Sequence, residues 1–337
     1  MGTVEQARER AIANLRSLLE RGGFYVSDAH GIRPSSFDLA ARRDSLLVLL
    51  KVLKNIDTLS REEAVRLTEL GQLFPAVVLI VGQTSGASEL EPGVVYTRYD
   101  IPIIREETLA DLIEKAVPPF LLSAPGGVFA RIDGERLRAL REARDLSLGA
   151  MAQIAGVSRH SIQLYEEGGG AEIIVVERVE RYFGEPVAVP VDLLLRPSAP
   201  EPPLRAPETE AEPRGDERAR PRSPDPLRAS VFDRLYGMGW DVVPTVRAPF
   251  DAFTRTPHEE EVREILLTAI GSLRTAQHRA ELLRELARVT ERHAMFVVPD
   301  PYPRPSIDGL PVLSVRELGR HRGREELLDE IEERERA

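Results

Sequence analysis

Residues 134–183 read GERLRALREARDLSLGAMAQIAGVSRHSIQLYEEGGGAEIIVVERVERYF, and the spacing of apolar and capping residues in them decides the fold. Leu137, Leu140 and Ala143 recur at helical intervals and predict a first helix. Ser147 stands where an N-cap belongs, ahead of a second helix over 148–155 with Met151, Ala152 and Ile154 turned inward. Gly156 supplies the backbone freedom of a tight turn, and Val157 plugs the space beneath it. Ser158 then caps a third helix over 159–166, with Ile162 and Tyr165 inward.

A small residue at the helix crossing (Ala152), glycine in the turn (Gly156), an apolar residue after it (Val157) and a branched one in the next helix (Ile162) together make a helix-turn-helix pattern. That geometry holds the third helix proud of its domain, so that its N-terminal half can enter a major groove of double-stranded DNA.

The stretch DLSLGAMAQIAGVSRHSIQLYEEG resembles the lambda-repressor and Cro-like DNA-binding domains over about 50 residues. The resemblance implies a five-helix domain whose third helix meets DNA through Arg159, His160, Ser161 and Gln163. Arg159 would pair with guanine O6 and N7, and Gln163 with adenine N6 and N7. Ser147 and Ser158 would lie near phosphates, at helix N-termini that favour anions. Leu148 departs from the family, which often has glutamine there, and Gly168–Gly170 predicts a loose approach to the following helix. Residues 131–167 hold six arginines and six acids, so the charge is balanced. Arg141, Arg144 and Arg159 are therefore expected to face the phosphates. An interaction scaffold that has kept this fold without binding DNA is the alternative.

Outward from this domain, residues 196–228 are dominated by proline, glutamate and arginine and predict a linker that cannot bury a core. Residues 1–120 alternate apolar strands with helices and predict an α/β domain; 121–195 comprise a hairpin lead-in and the helix-turn-helix. Residues 229–337 repeat the first pattern. Gly23–Val26 matches Gly239–Val242, Phe37–Ala40 matches Phe250–Phe253, Val78–Val81 matches Met295–Val298, and Ile101–Ile104 matches Leu310–Leu313. Four matches in one order point to an internal duplication. The tail from Gly323 predicts a charged, solvated helix.

Asp38 before one strand and Lys51 on the next resemble the core of metal-dependent nucleases, in which two acids and a lysine hold magnesium. Leu49 stands where the second acid belongs, and in the second copy Asp251 remains while Thr268 falls roughly at the position of Lys51. The expectation is two related, degenerate nuclease-like α/β domains flanking an all-α reader, with no catalytic residue. A magnesium-dependent nuclease or resolvase-like enzyme is the competing reading.

The chain of 337 residues carries a net charge of −10 and no cysteine, which removes thiolate metal sites and disulfides. Its six histidines show no ligand spacing, so neither a metal nor a cofactor is expected. No apolar run is long enough for a membrane span, and a cytoplasmic protein is expected. RPSSFDLAARRDSLLVLLKVLKNIDTLS and APGG…IDGERLRALREARDLSLG resemble an archaeal family of helix-turn-helix transcriptional regulators. That resemblance implies DNA-binding regulation, by a homodimer if two half-sites are read; it identifies no effector.

Overall fold

A computed structural model describes residues 2–28, 36–195, 225–245, 248–256, 265–300 and 304–336. The N-terminal repeat opens with α1 (Gly2–Arg21), followed by β1 (Tyr25–Asp28), β2 (Leu39–Arg43), β3 (Leu46–Asn55), α2 (Arg61–Leu73), β4 (Val77–Ser85), β5 (Ser88–Glu89), β6 (Val94–Arg98), β7 (Ile101–Ile104) and α3 (Glu106–Lys115). A hairpin of β8 (Leu121–Ala124) and β9 (Gly127–Ile132) leads to α4 (Gly134–Ala143), α5 (Leu148–Ala155), α6 (Arg159–Glu166), β10 (Gly170–Glu172), α7 (Ile173–Phe183) and β11 (Ala188–Val189). The C-terminal repeat comprises α8 (Pro226–Gly237), β12 (Asp241–Pro244), β13 (Ala252–Arg255), β14 (Ile265–Ile270), α9 (Leu273–Thr290), β15 (His293–Val298), β16 (Ser306–Ile307), β17 (Leu310–Ser314), α10 (Val315–Leu318) and α11 (Arg324–Arg336).

The chain forms two compact units, one of residues 1–23, 51–68 and 78–195, the other of residues 24–50, 69–77 and 196–337. Strand β3 passes from one to the other. In the first unit the strand order is β3-β4-β7-β6-β8-β9-β10. In the second, β1-β2-β3 form an antiparallel set and the C-terminal repeat is ordered β12-β13-β14-β15-β17-β16. Strands β14, β15 and β17 are mutually parallel, as are β4 and β7. Each repeat thus runs a helix, three strands, a helix and further strands in one sequence.

Segments of the N-terminal repeat pack on the C-terminal repeat inside the second unit. Phe74 meets Phe250 and Phe253 edge-on, with ring centroids 5.8 and 5.4 Å apart. The Tyr25 hydroxyl donates to Glu285 of α9 at 2.5 Å, and Arg42 pairs with Glu291. Trp240, 2% exposed, lies in the core between α8, β12, β13 and α11.

Several expectations are corrected. Four helices, not five, build the central domain among the described residues. Pro186 and Pro190 exclude a helix after Gly184, and Ala188–Val189 instead pairs with β9. The C-terminal repeat begins at Pro226 rather than 229, because Asp225 caps α8 and proline fits its first turn. Helix α11 is anchored rather than solvated, since Leu327, Leu328 and Ile331 share one buried stripe. Register also moves the second repeat by one residue: Asp38 donates its amide to Leu50 and Asp251 donates its amide to Thr268. Thr268 therefore matches Leu50, and Ala269 takes the place of Lys51. The linker up to residue 224 and the histidines His30 and His258 lie outside the described residues.

Candidate nucleic-acid interface

Capping sets the helix starts. Ser147 Oγ accepts from the amide of Ala150 at 3.1 Å, and Ser158 Oγ from that of Ser161 at 3.0 Å. Between them Gly156 sits at φ 72°, a left-handed conformation that strains any side chain, and a Cβ there would also displace Arg178 Nη1, 2.3 Å away. Arg178 uses that nitrogen to donate to the carbonyl of Ala155, closing the end of α5. Met151, Ala152, Ala155 and Ile162 are buried together with Leu137, Val175, Val176 and Val179. Val157 is partly buried as expected, but Ile154 is only half-buried and Ala143 is exposed; Ala155 fills the inward position instead.

With Ile162 and Glu166 turned inward, α6 presents Arg159, His160 and Gln163 to solvent. Arg159 makes no ion pair among the described residues. Its guanidinium lies over the first turn of α5 at Gly149, where a Cβ would come within 3.0 Å of Nε. Ser147, Gly149, Gln153, Val157 and Arg159 line one open groove between α5 and α6. Ser161 is half-buried, with its hydroxyl 2.9 Å from that of Ser158. Gln163 reaches forward one turn and donates to Glu167, 3.4 Å away.

The expectation that Arg141 and Arg144 face phosphates is overturned. Arg141, with Arg138, holds the buried carboxylate of Glu166, at 2.5 Å from Arg141 Nε and 3.2 Å from Arg138 Nε. Burial pushes the Glu166 carboxyl up, but the hydrogen bonds and charges of the two guanidinia outweigh it and hold the group below its ordinary value. Arg144 donates to the last carbonyls of α7, at Tyr182 and Phe183, and stacks on both rings. The clamp at Glu166 was missed in the sequence, although an acid four residues after Ile162 lies on the buried stripe and signals a buried partner.

The glycine run is pinned rather than loose. Strand β10 pairs with β9, and the amide of Ile132 donates to Gly169. Gly134 allows the closest approach, since a Cβ there would lie 2.4 Å from the carbonyl oxygen of Glu166.

The degenerate positions do not make a metal site. Leu49, fully buried, occupies the second acid position, while Asp38 and Lys51 are each 5% exposed. Asp251 accepts from Arg228 Nη2 at 2.6 Å, Arg279 Nη1 at 3.2 Å and the amide of Ile270 at 2.7 Å. Two guanidinia and an amide thus satisfy the Asp251 carboxylate. No group of three potential ligands occurs among the described residues. Magnesium does not fit this donor set. No described helix is long and apolar enough to cross a membrane.

This is a helix-turn-helix protein with a nuclease-like α/β domain ahead of the helix-turn-helix. Family models agree: residues 8–119 match a PD-(D/E)XK superfamily domain, and residues 134–188 match a helix-turn-helix domain. A protein of Natronomonas pharaonis is 36% identical over 97% of this chain and 99% of its own length. One from Halorubrum lacusprofundi is 36% identical over 93% of each chain, and one from Methanosarcina barkeri 35% over 97% of each. All three bear the provisional name HTH-type transcriptional regulatory protein. The chain belongs to this archaeal family of HTH-type transcriptional regulatory proteins. No solved structure matches it.

Proposed function

We propose that the chain regulates transcription by placing the first half of α6 in a major groove of double-stranded DNA. The observation that carries this reading is the unpaired guanidinium of Arg159 at the exposed start of a helix whose opposite stripe is buried. Arg159, His160 and Gln163 read base edges, Ser161 supports them, and Ser147 and Ser158 lie at helix N-termini that suit phosphates. With Arg141 and Arg144 occupied internally, specificity rests on few residues.

Selection of bound genomic fragments by the wild-type chain and by Arg159→Ala tests this. The variant should lose about 1–3 kcal/mol on the selected site and relax base choice at one position. Equal losses on selected and random duplexes would reduce Arg159 to a phosphate contact. An interaction scaffold would show no salt-dependent DNA binding at all.

One reading helix per chain and half-sites one turn apart, roughly 34 Å, favour a homodimer on DNA. The expected complex contains two chains per duplex by light scattering; a single chain at a full-affinity site would overturn this. The nuclease-like repeats are read as a frame without catalysis, supported by Leu49 and by the guanidinia on Asp251. Supercoiled, duplex and branched DNA should therefore stay uncut in magnesium or manganese. Cutting that disappears in Asp38→Ala would reverse that reading.

A further inference from the structure

We propose that a cleft in the second unit binds a small organic anion, a phosphate or carboxylate carried on an apolar body. The cleft, of about 370 Å³, lies where the end of α9 meets β15 and β17. Its lining includes the apolar residues Ala287, Leu310 and Pro311 beside a cationic wall of Arg284, Arg288 and Arg292.

Two carboxylates, Glu291 and Glu335, also line the cleft, and each has another partner. Glu291 is taken by Arg42, and Glu335 faces His293 at 3.2 Å. A single acid, Glu285, serves both Arg284 at 3.4 Å and Arg288 at 3.5 Å, while also accepting the Tyr25 hydroxyl. Arg284 is fixed by donating Nη1 to the carbonyl of Asp308 at 2.7 Å, and its buried Nε has no acceptor. Arg292 is the least satisfied group, because its guanidinium makes no hydrogen bond among the described residues. Burial and the neighbouring Arg42 disfavour its charged form and outweigh the opposite charge of Glu291. A half-buried guanidinium without an acceptor is costly, and a two-oxygen anion offers its planar fork the missing pair. The apolar patch beside it suits the rest of such a ligand and would leave a bare ion less well held.

Trp240 provides the readout, being the single tryptophan of the chain and buried in this unit. Thermal unfolding of the full chain would be followed by its fluorescence with phenyl phosphate, benzoate or inorganic phosphate at constant ionic strength. Phenyl phosphate or benzoate should raise the midpoint by about 3 °C near saturation, the larger shift identifying the head group. The shift should vanish in Arg292→Gln and shrink in Arg288→Gln, an exposed position that tolerates change. Absence of a shift in the wild type, or an equal shift in Arg292→Gln, would overturn the site. Inorganic phosphate acting as strongly as phenyl phosphate would overturn the apolar part of the ligand. No DNA is present, so the outcome stands apart from the reading of α6.

Discussion

Glu166→Ala should destabilise the helix-turn-helix domain by about 3 kcal/mol, enough to unfold much of it at moderate temperature. Glu166 is 8% exposed, and Arg141, its closer partner, has a side chain only 14% exposed. Deleting the carboxylate takes the closest acceptor from a largely buried guanidinium on α4, which keeps only the carbonyl of Leu146 and the exposed Glu142. Arg138 is about half exposed, so its share is screened and small. Circular dichroism melts of the full chain would show an early helical loss. Glu166→Gln should fall between, keeping an acceptor without the charge. A melt within about 0.5 kcal/mol of wild type would rule out the clamp.

The same residue sets an acid limit. Because the folded pKa of Glu166 lies below its ordinary value of 4.5, its contribution is complete above that value. It is lost as the pH falls through the lower folded value. Glu166→Gln should flatten this part of the stability profile; an unchanged acid limb would assign it to other carboxylates.

Asp251→Ala should cost the second unit a comparable amount, about 3 kcal/mol, read as an earlier Trp240 transition. Arg279 has a side chain 15% exposed and is fixed by donating to the carbonyl of Pro249, at 3.1 Å from Nε, so it cannot follow the lost charge into solvent. Arg228 is far more exposed and can rehydrate. Magnesium should leave the wild-type transition where it is. A magnesium-dependent rise that disappears in Asp251→Ala would mean that a cation competes with the arginines.

Much of the reader was legible in advance because its signals are local. Ser147, Gly156, Ser158 and Ile162 act within a turn or two of themselves, through caps, a left-handed backbone and a helical stripe. Arg141 and Arg144 were misread because exposure of an arginine depends on what stands opposite it. Glu166 lies twenty-five residues from Arg141, and the α7 carbonyls thirty-eight and thirty-nine from Arg144. The recurring order of elements was visible in four short matches, but its register was not. A strand alternates faces every residue, and only the bonds of Asp38 to Leu50 and Asp251 to Thr268 fix which residue stands opposite which.

The sequence by itself determined the helix-turn-helix at 134–183 and the nuclease-like α/β domain ahead of it. Each of these is written in residue type and spacing. Only the tertiary structure decided which charges remain available: Glu166 takes Arg141, Asp251 takes Arg279 and Arg228, and among the described residues Arg159 and Arg292 make no ion pair. Charge pairing in a folded chain depends on side chains brought together from distant positions, and burial then decides whether water can substitute for a partner.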